Sequence, residues 1–181
     1  MTEPCARFRD IPQLTSNGSY RINVPWDSVE RTLEQFGEGC GLDLDPDFQR
    51  AHVWTRSQQI AYVEFILRGG RTGREVLFNQ SGWQSRASTN RGEPLVLVDG
   101  KQRLQAVRRF LSNEIPAFGS KFKEYADRLP LLGPDFIFMV NDLPTRAAVL
   151  QWYIELNAGG TVHKPKEIEK VRALLAAEPK S

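Results

Sequence analysis

The sequence predicts an α+β fold, a small mixed sheet flanked by helices. Two observations carry this expectation. Short apolar runs bounded by glycine, proline or polar turns recur at residues 20–24, 75–78, 94–98 and 136–140, with the length and composition of strands. Between and after them lie stretches whose apolar residues fall at helical spacing, and the two kinds of element follow one another in mixed order with no internal repeat.

Residues 1–18 are polar and turn-rich and read as a flexible arm ahead of a single domain over residues 19–178. Tyr20-Arg21-Ile22-Asn23-Val24 alternates as a strand does, and Pro25 ends it. Trp26 to Phe36 reads as a helix with Val29, Leu33 and Phe36 on one face and Glu30, Glu34 and Glu38 on the wet side; Gly37, Gly39 and Gly41 are expected to break it. Asp43 to Arg50 reads as extended or turn-like, because a residue before proline avoids the helical region. A well-signalled helix follows: Thr55 is its N-cap, Gln58 completes a capping box, Ile60, Val63, Ile66 and Leu67 form the buried stripe, and Gly69 stops it. Glu75 to Phe78 is a strand, and residues 79–93 form a polar excursion. Pro94 to Val98 is the central strand, followed at once by a helix with Leu104, Val107, Phe110 and Leu111. Ile115 to Phe118 reads as a short edge segment and Phe136 to Val140 as a buried strand. Asp142 to Thr145 opens a helix carrying Val149, Trp152, Tyr153 and Leu156, and Pro165 starts a last helix with Ile168, Val171, Leu174 and Leu175 inward.

The 181 residues suit one domain that buries roughly 70% of its unfolded surface. With 24 basic and 22 acidic residues the formal charge is +2, which neither demands nor forbids a nucleic-acid partner. Cys5 and Cys40 have no metal-ligand spacing and build no disulfide framework, which points to a reducing compartment. No apolar run approaches the ~18 residues of a membrane span, and no signal-peptide core opens the chain, so no membrane association and a cytoplasmic location are expected.

Chemistry concentrates at Asp99-Gly100-Lys101-Gln102-Arg103, where strand turns into helix. A helix N-terminus offers unpaired N–H groups and roughly half a positive charge, which suits a phosphate. Lys101 and Arg103 add full charges in the first turn, where the helix dipole disfavours cations; an ordinary Asp-Gly turn with solvated basic residues is the plainer reading of the same five residues. Gln49 and Arg50 follow Phe48 and precede Trp54, and an arginine fork suits phosphate oxygens. Asn157 to His163 is a Gly-Gly turn between helices. Trp83, Arg86 and Arg91 could stack on and pair with a nucleic acid, or Trp83 could tuck onto the body. With only two histidines and no Gly-x-Ser-x-Gly, a serine-type triad has little support, and no zinc spacing, Walker A or Gly-x-Gly-x-x-Gly sequence occurs.

Taken together, Asp47-Phe48-Gln49-Arg50 with Val53-Trp54, the capped helix ending at Gly69, Val98 to Leu104, and Leu156-Asn157 with Gly159-Gly160 and Glu167 resemble the N-terminal domain of the GmrSD-type restriction family, of the ParB/sulfiredoxin-like superfamily. The resemblance covers residues 43–170, in the same order and spacing. It implies a compact α+β fold whose central strand-to-helix turn holds nucleotide phosphates. Members of the superfamily hydrolyse nucleoside triphosphates, transfer phosphate, or use a nucleotide to gate DNA binding, and this branch is associated with restriction of foreign or modified DNA in bacteria and phages. By resemblance, Asp99 is the metal-binding or general-base carboxylate. Gly100, Gln102 and Arg103 cradle the phosphates, Gln49 and Arg50 line the same pocket, and Asn157 and Gly160 close it. Lys101 departs from the family's Asp-Gly-Gln-Gln-Arg hallmark, exchanging an amide for a cation. Larger relatives continue into a helical region and often a nuclease domain, so a stand-alone module, phage-encoded or bacterial, is expected here.

The leading expectation is therefore an enzyme that uses ATP or another nucleoside triphosphate with Mg²⁺ and moves a phosphoryl group to water, DNA or a small molecule, with Asp99 and Arg103 catalytic and Lys101 adding charge. A non-catalytic nucleotide-gated DNA-binding module is the alternative. A metal-dependent nuclease pairing Asp99 with Glu64 or Glu167 ranks below both, since no tight carboxylate cluster is visible.

Overall fold

The computed structural model describes residues 7–8, 11, 20–51, 53–83, 93–130, 133–158 and 165–178. In chain order they form β1 (Tyr20–Pro25), a 3-10 turn (Trp26–Ser28), α1 (Val29–Cys40), β2 (Leu42–Asp43), α2 (Arg56–Leu67), β3 (Glu75–Asn79), β4 (Leu95–Asp99), α3 (Lys101–Leu111), a second 3-10 turn (Phe122–Glu124), β5 (Asp135–Asn141), α4 (Arg146–Ala158) and α5 (Pro165–Ala177). The five strands make one sheet in the order β1-β5-β3-β4-β2. Pairing is antiparallel for β1 with β5 and β3 with β4, and parallel for β5 with β3 and β4 with β2. The fold is α+β with a mixed sheet.

Helices cover both faces of that sheet, which is why its central strands are apolar on successive residues rather than alternating with polar ones. Leu95 and Leu97 of β4, with Val76 and Phe78 of β3, join a cluster that includes Trp26, Leu33, Val63, Leu104 and Phe110 from the α1, α2 and α3 side. Val98 and Leu77 point the other way, into a second cluster with Phe48, Leu150, Trp152, Tyr153 and Val171, on the α4 and α5 side. β4 therefore separates two cores, and its C-terminal residue Asp99 emerges where they meet. The buried Asn79 secures the β5-to-α4 connection, its side chain exchanging hydrogen bonds with the Leu143 N–H (2.8 Å) and C=O (3.2 Å).

Local chemistry sets several boundaries as expected. Thr55 and Gln58 form a reciprocal capping box at the start of α2, and Gly69 follows its end at a φ of +88°. Thr145 Oγ1 accepts from the Ala148 N–H (3.2 Å), opening α4.

Four elements differ from the sequence reading. α1 starts as a 3-10 turn and runs through Gly37 and Gly39, ending only at Gly41, whose φ is +65°. A glycine inside a helix costs about 1 kcal/mol, which the burial of Val29 and Leu33 outweighs. Leu42–Asp43 is a strand rather than part of an extended loop, because β4 supplies a parallel edge for it. Ile115 to Phe118 is no edge strand: Ile115 and Ala117 are fully buried, and Ala117 and Ser120 close a tight turn across Phe118 and Gly119, both at positive φ. Leu156 of α4 lies mostly on the solvent side, 37% exposed. Most of the arm at residues 1–18 is outside the described residues. Among the described residues no helix is long and apolar enough to cross a membrane.

The turn from β4 into α3 is the tightest constraint on the site. Gly100 has a φ of +101°, and a Cβ there would sit 3.1 Å from Val76 Cα and 3.2 Å from the Glu75 carbonyl oxygen. Gly69 shares the left-handed conformation but has nothing within 4 Å of that position. Gly100→Ala should therefore cost about 2–4 kcal/mol, from strain plus collision with the β3 backbone, and Gly69→Ala about 1 kcal/mol from strain alone. Urea unfolding of the two variants checks this; equal losses would show that packing of the turn against β3 contributes nothing.

Candidate functional site

Asp99 closes β4, Gly100 is the N-cap of α3, and Lys101, Gln102 and Arg103 form its first turn. No side chain caps this helix, so the leading N–H groups of α3 have neither an intrahelical partner nor a side-chain one from the cap. Gly100, Lys101, Gln102 and Arg103 line a cleft of about 70 Å³. Its walls come from three separated stretches: Gln49, Arg50 and Trp54 from the loop after β2, Asp99 to Arg103 from the turn, and Tyr153 and Asn157 from α4. Parts of three of the blocks that carry the resemblance, Gln49-Arg50 with Trp54, Asp99 to Arg103, and Asn157, thus converge on one place.

Their side chains do not all behave as a phosphate cradle would require. Gln49 Nε2 donates to the carbonyls of Leu97 (3.0 Å) and Val98 (2.7 Å), continuing the cover of β4 beyond the point where β2 ends. Gln102 is buried, and its Oε1 accepts from the N–H groups of Val53 (3.0 Å) and Trp54 (3.1 Å), while its Nε2 donates to the Ala51 carbonyl (3.4 Å). Both amides fasten the loop to the sheet and helix. Gly100 is required by the close approach of β3, as above, whatever else the turn holds. Asn157 Nδ2 donates back to the Tyr153 carbonyl (2.7 Å).

The charged residues are what face the cleft with chemistry to offer. Arg103 donates through one terminal nitrogen to Asp99 Oδ2 (2.5 Å) and to the Glu75 carbonyl (3.0 Å), and its Nε is buried with no hydrogen-bond partner among the described residues. Lys101, mostly buried, pairs with the exposed Asp45 and donates to the Arg50 carbonyl (3.1 Å). Arg50, Lys101, Arg103 and Asp99 line the cleft together, and Lys101 is paired outside its lining with Asp45. Such an environment suits an anion that competes for donors now held by carboxylates.

The loop bearing Gln49 and Arg50 is held on its far side as well. Arg146 of α4 grips both oxygens of Asp47 (2.9 Å each) and reaches Glu178 (2.9 Å), and Lys170 donates to the Asp47 carbonyl (2.6 Å). Phe48 is buried against the Tyr153 ring, with 5.4 Å between centroids. On the opposite wall Trp54 stacks at a tilt on Tyr62, with 5.4 Å between centroids, and the Tyr62 hydroxyl donates to the Gly73 carbonyl (2.7 Å). Burial pushes the Tyr62 phenol well above its ordinary pKa, against a smaller opposing pull from Arg103 and Arg74, so it remains a neutral donor.

A divalent cation fits this donor set only in part. Among the described residues there is no group of three or more histidine, cysteine, aspartate or glutamate side chains able to hold a metal. Mg²⁺ is commonly held by one or two carboxylates with the substrate's phosphates and water completing the shell, and Asp99 can supply one such carboxylate. Glu64 is not its partner: it accepts from the Phe118 N–H (2.7 Å), in the turn beyond α3. The Glu167 side chain lies outside the described residues, as do Gly160, Arg86 and Arg91. Trp83 is not a free stacking face; its ring packs on Tyr20 and Phe36, 5.6 and 6.0 Å between centroids, and its backbone N–H donates to Asp142 Oδ1 (3.2 Å).

Trp54, Tyr153, Tyr62 and Asp45 were not singled out by the sequence as site residues. Trp54 had a signal, its place just after Gln49-Arg50; Asp45 had none, since Lys101 is 56 positions away. A larger depression, about 750 Å³, lies on the other side of Lys101 and is lined by Leu44, Leu97, Leu104 and Leu111. Its six charged lining residues are all paired, Arg108 with Glu30, Arg109 with Glu114 and Lys101 with Asp45, and Asp99 does not line it.

Comparison with protein-family models, with curated proteins and with solved structures finds no match to this chain.

If Gln102 is a loop clamp, its isosteric replacement should weaken folding directly. Gln102→Met keeps the volume but strands the Val53 and Trp54 N–H groups, at a cost of about 1–3 kcal/mol, whereas Gln105→Met on the same helix should stay within about 0.5 kcal/mol. Urea unfolding compares them, and a Gln102 variant as stable as wild type would remove the clamp.

Proposed function

We propose that the chain is a nucleoside-triphosphate-dependent phosphoryl-transfer enzyme that seats the phosphates at the N-terminus of α3 and acts in DNA modification, restriction or phage–host conflict in the cytoplasm. The observation that supports it is the convergence of Arg50, Asp99, Lys101 and Arg103, from two distant parts of the sequence, on one uncapped helix N-terminus. The link to DNA rests on the resemblance of the motif blocks to the GmrSD-type family.

In this reading the leading N–H groups of α3 and the Arg50 and Lys101 side chains bind the phosphate oxygens, and Arg103 stabilises the charge that grows on them as the terminal P–O bond breaks. Asp99 either takes the proton of the attacking water or hydroxyl, or shares Mg²⁺ with the phosphates. Asp99 would hold such a metal, which would supply charge neutralisation to the phosphates. Phosphoryl transfer asks little covalent work of the protein, so position and charge are the main contributions. Gln49 and Gln102 act one step back, holding the loop that carries Arg50 against β4 and α3.

One observation favours a second reading, a nucleotide-gated binding module without turnover: Asp99 is held by Arg103, and among the described residues no group of metal-binding side chains surrounds it. Nucleoside triphosphates labelled on the γ-phosphate, offered with Mg²⁺ and with or without duplex DNA, separate the two. Free labelled phosphate means hydrolysis, label on DNA means a kinase, and no movement in any condition leaves the binding module. Asp99→Ala should abolish turnover while nucleotide still binds; unchanged turnover would remove Asp99 from the chemistry. Arg103→Ala should weaken nucleotide binding by about 1.5–3 kcal/mol, read by calorimetry, and equal affinity would move the phosphate seat elsewhere.

A further inference from the structure

The cleft is too small for what it is proposed to hold. Small-molecule sites usually enclose about 300–1,000 Å³, and this one encloses about 70 Å³. That room suits a phosphate group. The remainder of a nucleotide must lie on the rim, and the rim has two aromatic side chains among its lining residues, Trp54 and Tyr153. Tyr153 is 3% exposed and pressed against Phe48, so it has no face to give. Trp54 is only half-buried.

Trp54 is also the better prepared of the two for such a task. Its backbone N–H is fixed by Gln102 in the first turn of α3 and its carbonyl accepts from the buried Gln59 (3.0 Å). Its ring is backed by Tyr62, itself anchored to Gly73. A glutamine in the first turn of α3 therefore sets the position of the aromatic ring at the rim. A ring held at a fixed distance from a phosphate seat is how a protein reads a base without reading its identity, because every base has a π-face and the gain comes from stacking.

We infer that Trp54 is a base-stacking platform, so that the ligand of this site is a nucleoside triphosphate of unrestricted base rather than a bare polyphosphate or a phosphosugar. The inference rests on the phosphate seat proposed above and adds the second half of the ligand. Gln102 is a positioning residue for that platform.

The test compares ATP with inorganic tripolyphosphate on the full chain by calorimetry. Wild type should bind ATP more tightly by roughly 5- to 150-fold, the range that one stacked base gives. ATP, GTP, CTP and UTP should agree within about tenfold, since stacking is tolerant of base identity. Trp54→Ala should collapse the ATP-to-tripolyphosphate ratio towards one, and Trp54→Phe should restore most of it. The wild-type ratio tests the contribution of the base before any variant is made, and Trp54→Phe, which keeps a ring against Tyr62, tests the platform should Trp54→Ala fail to fold. Tripolyphosphate binding as tightly as ATP would overturn the platform and leave the phosphate seat standing. An ATP advantage that survives in Trp54→Ala, or one confined to a single base, would also overturn it. Neither probe binding wild type would overturn platform and seat together.

Discussion

The close approach of Gly100 to the β3 backbone governs most of what surrounds it. With 3.1 Å between a would-be Cβ and Val76 Cα, α3 has to begin directly at the end of β4, with no room for a capping side chain. That start point places the first turn of α3 in the lining of the cleft. It puts Gln102 where it can hold the loop before α2, Arg103 one turn from Asp99, and Lys101 against Asp45. A longer or looser turn would shift every one of these partners, because each lies on a different element.

Charge in the cleft is arranged in pairs that an anion would have to reorganise. Lys101 is mostly buried and shares its charge with Asp45, which is largely in water. Arg103 is held by Asp99, itself 41% exposed. Exposed carboxylates hold such cations only weakly, since water screens the pair, so a phosphate with several oxygens and more charge can take their place. The same exchange would release the Asp99 carboxylate from Arg103 at the moment a phosphate arrives. On this view the ion pairs keep the basic groups ordered between ligands.

The sequence revealed the parts of this molecule whose causes are local. The capping box of Thr55 and Gln58 and the strand-to-helix break at Gly100 depend on neighbours a few positions away, and both appear where the residues place them. Elements made by distant partners were less legible. Leu42–Asp43 is a strand only because β4 offers it an edge, and α1 survives Gly37 and Gly39 only because its apolar face is buried. In the site, the turn and the Gln49-Arg50 block were both legible as polar residues at breaks in the chain. The division of labour among them was not. Gln49 and Gln102 carry amides suited to a ligand, yet their bonds run to backbone groups 48 to 51 positions away, which no local pattern encodes. Trp54 gave no sign of its place at the rim beyond standing near Arg50.

The claim on which the account turns is that phosphate binds at the first turn of α3. Backbone amide chemical shifts of the full chain, followed by NMR during titration with a non-hydrolysable ATP analogue, address it residue by residue. The largest changes should fall on the amides of Gly100, Lys101, Gln102 and Arg103. Largest changes in the depression lined by Leu44 and Leu111, or none anywhere at millimolar analogue, would contradict that claim.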